Sequence, residues 1–481
     1  MMLVQLTNGK TIPVEAHKVR IVQKSYLIPT QKRLEAIREA GYNTFLLRSR
    51  DLFMDMLTDS GTNAMSDNQL AAMMISDDAY AGSESFYKLR DAVEEVFGLK
   101  YVLPVHQGRA AEHLLARYFV KPGSIIPMNY HFTTTKAHFE LCGGTLHEIC
   151  IDEGLNTQST NPFKGNLDIE KFKELIGEYG AGKIAFVRME ATTNLIGGQP
   201  FSIANLREVR AVALAQHIPV MIDGSLISEN AYLIKQREAE FKDASIQDII
   251  REMMSLCDIF YLSGRKSCSV RGGFIASNNQ QYYDGILPML PLYEGFATYG
   301  GMSTKEIEAM AVGVREMTAE DVAGSSVEQI RYFAERLIEK GVPIVTPPGG
   351  LACHVDAMRF VPHIPQLQYP AAAVAAAMYL ISGVRSMERG TVSMERDADG
   401  NEVVSNMELA RFAVPRRVYS TAHMDYAADR LSWLYKHRDL IGGLKFVSEP
   451  AILRFFFGRL TAIGGWDQKL SEVYRQEVGK L

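Results

Sequence analysis

Lys266 stands near the end of Asp258-Ile-Phe-Tyr-Leu-Ser-Gly-Arg-Lys-Ser267, after a strand-like apolar run and a Ser-Gly turn. Upstream, Asp223 closes a second run of the same kind. A lysine presented this way, with a carboxylate behind it, suits pyridoxal 5′-phosphate (PLP). The amine forms a Schiff base, and the carboxylate keeps the pyridine nitrogen protonated so that the ring can accept electrons. Most lysines are solvated surface charges, so the reading rests on what surrounds this one. In His106-Gln-Gly-Arg-Ala-Ala-Glu112 a glycine precedes a helix, and free N–H groups at a helix start suit a phosphate, although a plain turn reads the same way. Phe132, in Tyr130-His-Phe-Thr-Thr-Thr135, is either a ring to stack on a planar cofactor or a core aromatic. Asn194, before Gly197-Gly198, is either a partner for the cofactor's phenolic oxygen or a turn residue.

The elements that must position these residues alternate. Strands are expected at 101–104, 183–189, 219–222, 259–262 and 273–276, and helices at 83–97, 109–119, 168–179, 203–216 and 246–256. Short β-branched runs alternating with helical patterns imply βαβ units and a mainly parallel sheet, hence an α/β fold. In such sheets ligands collect at the carboxyl ends of strands, where Asp223, Ser263, Lys266 and Asn194 all fall. From about residue 325 the texture changes. A helix at 328–340 leads through 342–346 to a Pro-Pro-Gly-Gly turn. An Ala-rich helix (371–382) and short strands near 409–414 and 445–447 then read as a smaller α+β domain. The stretch 396–402 reads as a hairpin or loop tip.

Composition closes off several classes. The chain has 481 residues, 47% hydrophobic and 22% charged, with a net charge of −5. That is an ordinary globular protein of two or more domains, with no basic stripe for nucleic acid. No apolar run approaches the roughly 18 residues needed to cross a membrane, and the N-terminus does not read as a signal peptide. Five scattered cysteines without a CxxC pair suit reduced thiols in the cytoplasm. His106, His131, His138 and His147 lack the local spacing of a zinc ligand pair, so no metal site is expected.

Taken together, several segments resemble the β-eliminating PLP lyases, the family of tyrosine phenol-lyases and tryptophanases. They are Leu57-Thr-Asp-Ser-Gly-Thr-Asn-Ala-Met-Ser-Asp67, Ala79-Tyr-Ala-Gly-Ser83, His106-Gln-Gly-Arg109, Glu229-Asn-Ala-Tyr232 and Val414-Pro-Arg-Arg-Val-Tyr419. The resemblance runs in order from about His17 to Phe456. It implies the aspartate-aminotransferase fold (fold type I), with a seven-stranded sheet in a large PLP domain at 56–320. Residues 1–55 would form an arm and part of a small domain, completed by 321–481 with an extra tail. It also implies a homotetramer with active sites at subunit interfaces and a small amino-acid substrate.

The implied activity converts L-tyrosine to phenol, pyruvate and ammonia through a quinonoid. Lys266, Asp223, Asn194, Phe132, Gln107, Gly108, Arg109 and Ser263 would hold the cofactor. Lys266 would remove the α-proton and Tyr80 would protonate the leaving ring. Arg389, in Ser386-Met-Glu-Arg-Gly390, matches the arginine that contacts the phenol hydroxyl, with Thr133 beside it. Arg411 matches the arginine that holds the substrate carboxylate, and Thr58, Phe45, Phe455 and Phe456 match the rest of the substrate pocket.

Departures cluster around the cofactor. Leu226 stands where the family has an arginine near the phenolic oxygen, Arg265 and Ser267 flank the lysine in place of Lys and Asp, and Ala110 replaces a glycine. The family's monovalent-cation glutamate is Asp78 here, and Arg271 falls where a cation-binding asparagine would be. A guanidinium in the metal's place would make activity independent of potassium. Two further readings stay open. One is a relative acting on another aromatic or phenolic amino acid by elimination, β-replacement or another quinonoid route, in a biosynthetic pathway. The other is a silent PLP-binding scaffold. The tail near 466–478 reads as an amphipathic helix covering the subunit surface.

Overall fold

The computed structural model describes residues 2–479. Its centre is a seven-stranded sheet in the spatial order Tyr101–Val105, Gly273–Ser277, Ile259–Ser263, Val220–Asp223, Val187–Glu190, Ile125–Met128, Thr145–Glu148. Gly273–Ser277 runs antiparallel to both neighbours, and the remaining neighbours pair in parallel. The inner strands are buried along their whole length, as expected of a parallel sheet covered on both faces.

The expected strands and helices of this region stand within a residue or two of their sequence positions, with one shortening. The run at 183–189 becomes a strand only at Val187, because Ala181–Lys183 closes a 3₁₀ turn. Two strands were not expected, Ile125–Met128 and Thr145–Glu148. The first carries Pro127, which argues against an interior strand, and the second is a short polar edge.

A second layer of structure joins the two ends of the chain. Leu34, Ile37 and Met54 pack in one core with residues 330–474. Its heart is the Ala-rich helix Pro370–Ser382, buried at every position, because alanines let neighbouring helices approach closely. An antiparallel sheet of Ala352–Asp356, Leu409–Ala413 and Met387–Arg389 lies against it. The helix expected at 328–340 is the second half of a longer one, Glu320–Glu339.

The C-terminal helix Trp466–Glu477 differs from expectation. It buries Trp466, Leu470 and Tyr474 in its own subunit's core rather than covering a subunit surface. Asp467 anchors it by accepting from Arg38 Nε at 2.7 Å and the Tyr42 hydroxyl at 2.6 Å.

No helix among the described residues is long and apolar enough to cross a membrane. None of the described residues form a group of three or more His, Cys, Asp or Glu side chains that could hold a metal.

Arg416 fastens the second layer to the sheet. Its guanidinium ion-pairs with buried Glu229 on helix Ile227–Arg237, and Nη1 donates to the Ser267 carbonyl at 2.8 Å, beside Lys266. Removing one partner of a buried pair strands the other charge. Arg416→Met is therefore expected to lower stability by about 3–5 kcal/mol, read as a fall in the urea midpoint. A midpoint within error of the wild type would show that Glu229 finds another counter-ion.

Candidate active site

A cavity of about 290 Å³ opens at the carboxyl edge of the central strands, lined by Lys266, Asp223, Ser263, Gln107, Gly108, Arg109, Phe132, Thr133, Thr58, Phe45, Arg411, Phe455 and Phe456. These come from both ends of the chain. The fold therefore gathers most of the residues that the sequence nominated.

Lys266 sits on the tight turn after Ile259–Ser263, its N–H donating to the Ser263 carbonyl at 3.0 Å. Asn63 Nδ2 holds the Lys266 carbonyl at 2.8 Å. The Lys266 Nζ makes no hydrogen bond or ion pair among the described residues and lies 5.2 Å from the centre of the Phe132 ring. On the opposite wall, helix Gly108–Phe119 begins with no side-chain cap on its first amides. A Cβ on Gly108 would stand 2.9 Å from Ser263 Cβ, so only glycine lets this helix start approach the lysine's strand.

The floor is polar and charged. Asp223 Oδ1 accepts from Ser225 N–H at 3.0 Å and Ser225 Oγ at 2.7 Å. Its Oδ2 accepts from Arg188 Nη2 at 2.6 Å and the Tyr261 hydroxyl at 2.9 Å. Glu190 lines the cavity one strand over, and burial pushes its carboxyl up to about 7 against the pull of Arg188. Glu112 accepts from the hydroxyls of Thr134 and Thr135 at 2.7 and 2.6 Å, and burial raises its carboxyl too.

Sequence reasoning missed Arg188, Glu190 and Glu112. A signal was present in Phe186-Val-Arg-Met-Glu-Ala191: two charges two residues apart in an otherwise apolar strand share one buried face and need partners.

Three nominated residues do not line the cavity. Asn194 lies just behind it. Its Oδ1 accepts from Arg411 Nη1 at 2.7 Å, while its Nδ2 is buried without a partner. Arg389 is neither a surface charge nor a wall of the cavity. It is fully buried, with Nη1 on Ser405 Oγ at 2.8 Å, Nη2 on the Tyr130 hydroxyl at 3.0 Å and Nε unpartnered. Tyr80 is 73% exposed, stacked on Phe296 with centroids 5.6 Å apart and edge-on to Tyr299.

The architecture matches serine palmitoyltransferases. One from Sphingomonas wittichii aligns at a TM-score of 0.57 and 13% identity over 80% of this chain and 88% of its own. Another, from S. paucimobilis and carrying a bound PLP–myriocin aldimine, aligns at 0.57 and 13% over 81% and 89%. The fold is thus that of the fold-type I PLP-dependent enzymes, whose ligands gather where this cavity lies.

Sequence comparison narrows the class. Residues 55–430 match the family described as beta-eliminating lyase. A tyrosine phenol-lyase of Symbiobacterium thermophilum is 49% identical over 93% of this chain and 98% of its own length, and one of Pasteurella multocida is 48% identical over 94% and 99%. The chain belongs to the beta-eliminating lyase family.

The residues present suit PLP. Uncapped amides at Gly108 match a phosphate, the unpaired Lys266 amine an aldehyde, the orphaned Asn194 Nδ2 a phenolic oxygen, and the Asp223 carboxylate a pyridinium. Adding a methyl group at Gly108 forces the helix start away from Ser263, an overpacking of about 1–3 kcal/mol. Gly108→Ala is expected to weaken PLP binding by about tenfold or more in an absorbance titration, with the far-UV circular dichroism unchanged. Wild-type affinity in that variant would remove the phosphate from this helix start.

Proposed function

We propose that this chain is a PLP-dependent carbon–carbon lyase that converts L-tyrosine to phenol, pyruvate and ammonia. The observation that carries the reading is one cavity lined by Lys266, Asp223 and Arg411, in a chain about half identical to tyrosine phenol-lyases. Bound PLP supplies an electron sink for the charge left at the substrate's α-carbon.

The remaining work belongs to the chain. Lys266 Nζ, free of hydrogen bonds, is the base for the α-proton. Arg411 receives the substrate carboxylate. Asn194 Oδ1 and the Leu57 carbonyl hold its Nη1 and Nη2, and its Nε is left open. Burial lowers the Arg411 guanidinium to about 10, which leaves it charged at neutral pH. Phe45 meets Phe455 and Phe456 edge-on at 5.4 and 5.0 Å, an apolar wall that keeps water from the aromatic ring of the substrate. Tyr80, exposed on an aromatic shelf, acts as general acid in the cavity of a second copy within a homotetramer. Arg389 reaches a phenol hydroxyl by leaving Tyr130 and Ser405.

The same reading assigns residues 56–320 to the PLP domain and 1–55 with 321–481 to a smaller one, supported by the core that joins the two ends. Five free cysteines fit a cytoplasmic enzyme. A second reading, another phenolic or aromatic amino acid as substrate, is favoured by the burial of Arg389 behind the wall and by apolar Leu226 in the cofactor pocket.

Incubation with L-tyrosine, with phenol and pyruvate measured separately, tests the assignment. Equal amounts of the two are expected, and neither from Lys266→Ala, which should also lose the visible band of bound PLP. A wild-type band without phenol or pyruvate would leave the second reading standing. Arg271, exposed near Arg265, is proposed to stand in for the family's monovalent cation. Activity should accordingly stay level when sodium replaces potassium at fixed ionic strength. A strong potassium dependence would overturn that substitution.

A further inference from the structure

The floor of the cavity carries one more charge than a pyridine nitrogen needs. Glu190, Asp223 and Tyr261 end three adjacent parallel strands at the same register, Glu190 opposite Asp223 and Asp223 opposite Tyr261. Adjacent strands lie about 4.8 Å apart, so the two carboxyls are direct neighbours on one face of the sheet. Both are buried, Glu190 at 5% and Asp223 at 4% exposure. Two carboxylates that close, away from water, do not both ionise without a cation between them.

Arg188 is that cation. It sits two residues before Glu190 on the same strand face and is fully buried. Nη2 reaches Asp223 Oδ2 at 2.6 Å and Nη1 reaches Glu190 Oε2 at 3.4 Å, so one guanidinium spans both acids. Its Nε donates to the Tyr261 hydroxyl at 3.1 Å, and that hydroxyl turns its own proton to Asp223. A planar fork of donors can make all of these bonds at once, which an ammonium on a flexible stem cannot.

We propose that Arg188 is a positioning residue for the cofactor: by bridging Glu190 and Asp223, it keeps Asp223 an oriented anion for the ring nitrogen. The inference rests on the PLP reading above.

The charge count explains why. With the ring nitrogen protonated, Arg188 and the pyridinium balance Glu190 and Asp223. Without Arg188 the two carboxyls take up a proton from solvent and share it, and Asp223 is an anion only part of the time. The other charged or titratable groups near these acids are Lys266 on the Glu190 side, Glu112 from helix Gly108–Phe119 and Tyr261. Glu112 is itself acidic, buried and raised, so it offers no replacement cation. A shared proton stays bound to a higher pH than a lone carboxyl's would, and the anion is lost as pH falls. The defect in an Arg188 variant should therefore deepen toward acid.

The test is an absorbance titration with PLP at pH 8 and pH 6 on wild type, Arg188→Met and the double variant Arg188→Met/Glu190→Gln, each value taken relative to wild type at the same pH. Arg188→Met should bind about tenfold more weakly or worse, with the larger loss at pH 6. Removing the competing acid in the double variant should recover most of the affinity and flatten the pH dependence. Unchanged binding in Arg188→Met, or a loss that Glu190→Gln does not relieve, would overturn the inference. If Arg188→Met does not fold, the double variant, which buries one unpaired carboxyl fewer, should fold and bind. Failure of both to fold would make Arg188 a packing residue only. A wild type with no bound-PLP band would remove the cofactor reading and this inference together, whereas a normal wild-type band with an indifferent Arg188→Met removes this one alone.

Discussion

A carboxylate buried at the end of a central strand is the constraint around which the chain is arranged. Asp223 is 4% exposed, and an ion taken that far from water must be paired and hydrogen-bonded to be tolerated. Ser225 closes one side of it by the turn that follows the strand, while Arg188 and Tyr261 close the other from the two flanking strands. Those donors are on hand only if the three strands lie parallel and in register, which in turn requires helices on both faces. The site's charge and the sheet's topology are one solution to the desolvation of a single group.

The same logic ties the chain's two ends to the sheet. Arg411 rises from the strand Leu409–Ala413 and is held by Asn194, after a central strand, and by the Leu57 carbonyl, from the N-terminal part. Arg416, a few residues on, grips Glu229 and the turn that carries Lys266. Buried guanidiniums thus span every segment that lines the cavity. Each offers a planar set of donors, so each fixes an orientation as well as a distance. Placing an amino-acid carboxylate, an amine and a ring against one another needs that degree of definition.

Much of this was legible in the sequence because the deciding signals are local. Apolar runs ending in Asp223 and Ser263, a Ser-Gly turn before Lys266, and a glycine opening a helix at Gly108 are each readable within a few residues. The missing parts depend on neighbours distant in sequence. Pro127 disguised an interior strand, and the polar edge strand at Thr145–Glu148 exists only because Ile125–Met128 pairs with it. Glu112 looked like one more helix surface charge until helix Thr133–Leu141 supplied two hydroxyls to bury it. Arg188 and Glu190 were readable in period but not in partner, since Asp223 lies on another strand.

Arg389 shows how burial separates a residue's identity from its availability. Its position in Ser386-Met-Glu-Arg-Gly390 nominates it for the aromatic end of a substrate, yet Tyr130 and Ser405 already occupy two of its nitrogens and its Nε has no partner. A buried donor left unpaired costs about 1–3 kcal/mol, so the arrangement holds free energy that a ligand oxygen could release. Tyr130 is well placed to set the threshold. Burial raises its hydroxyl, so it stays protonated and binds Arg389 as a neutral acceptor. A phenolic oxygen carrying developing negative charge would compete better than a neutral hydroxyl, because hydrogen bonds to ions are about twice as strong. The same competition selects against aromatic rings with no such oxygen, and it places the discrimination among substrates in the second layer of the pocket rather than at its wall.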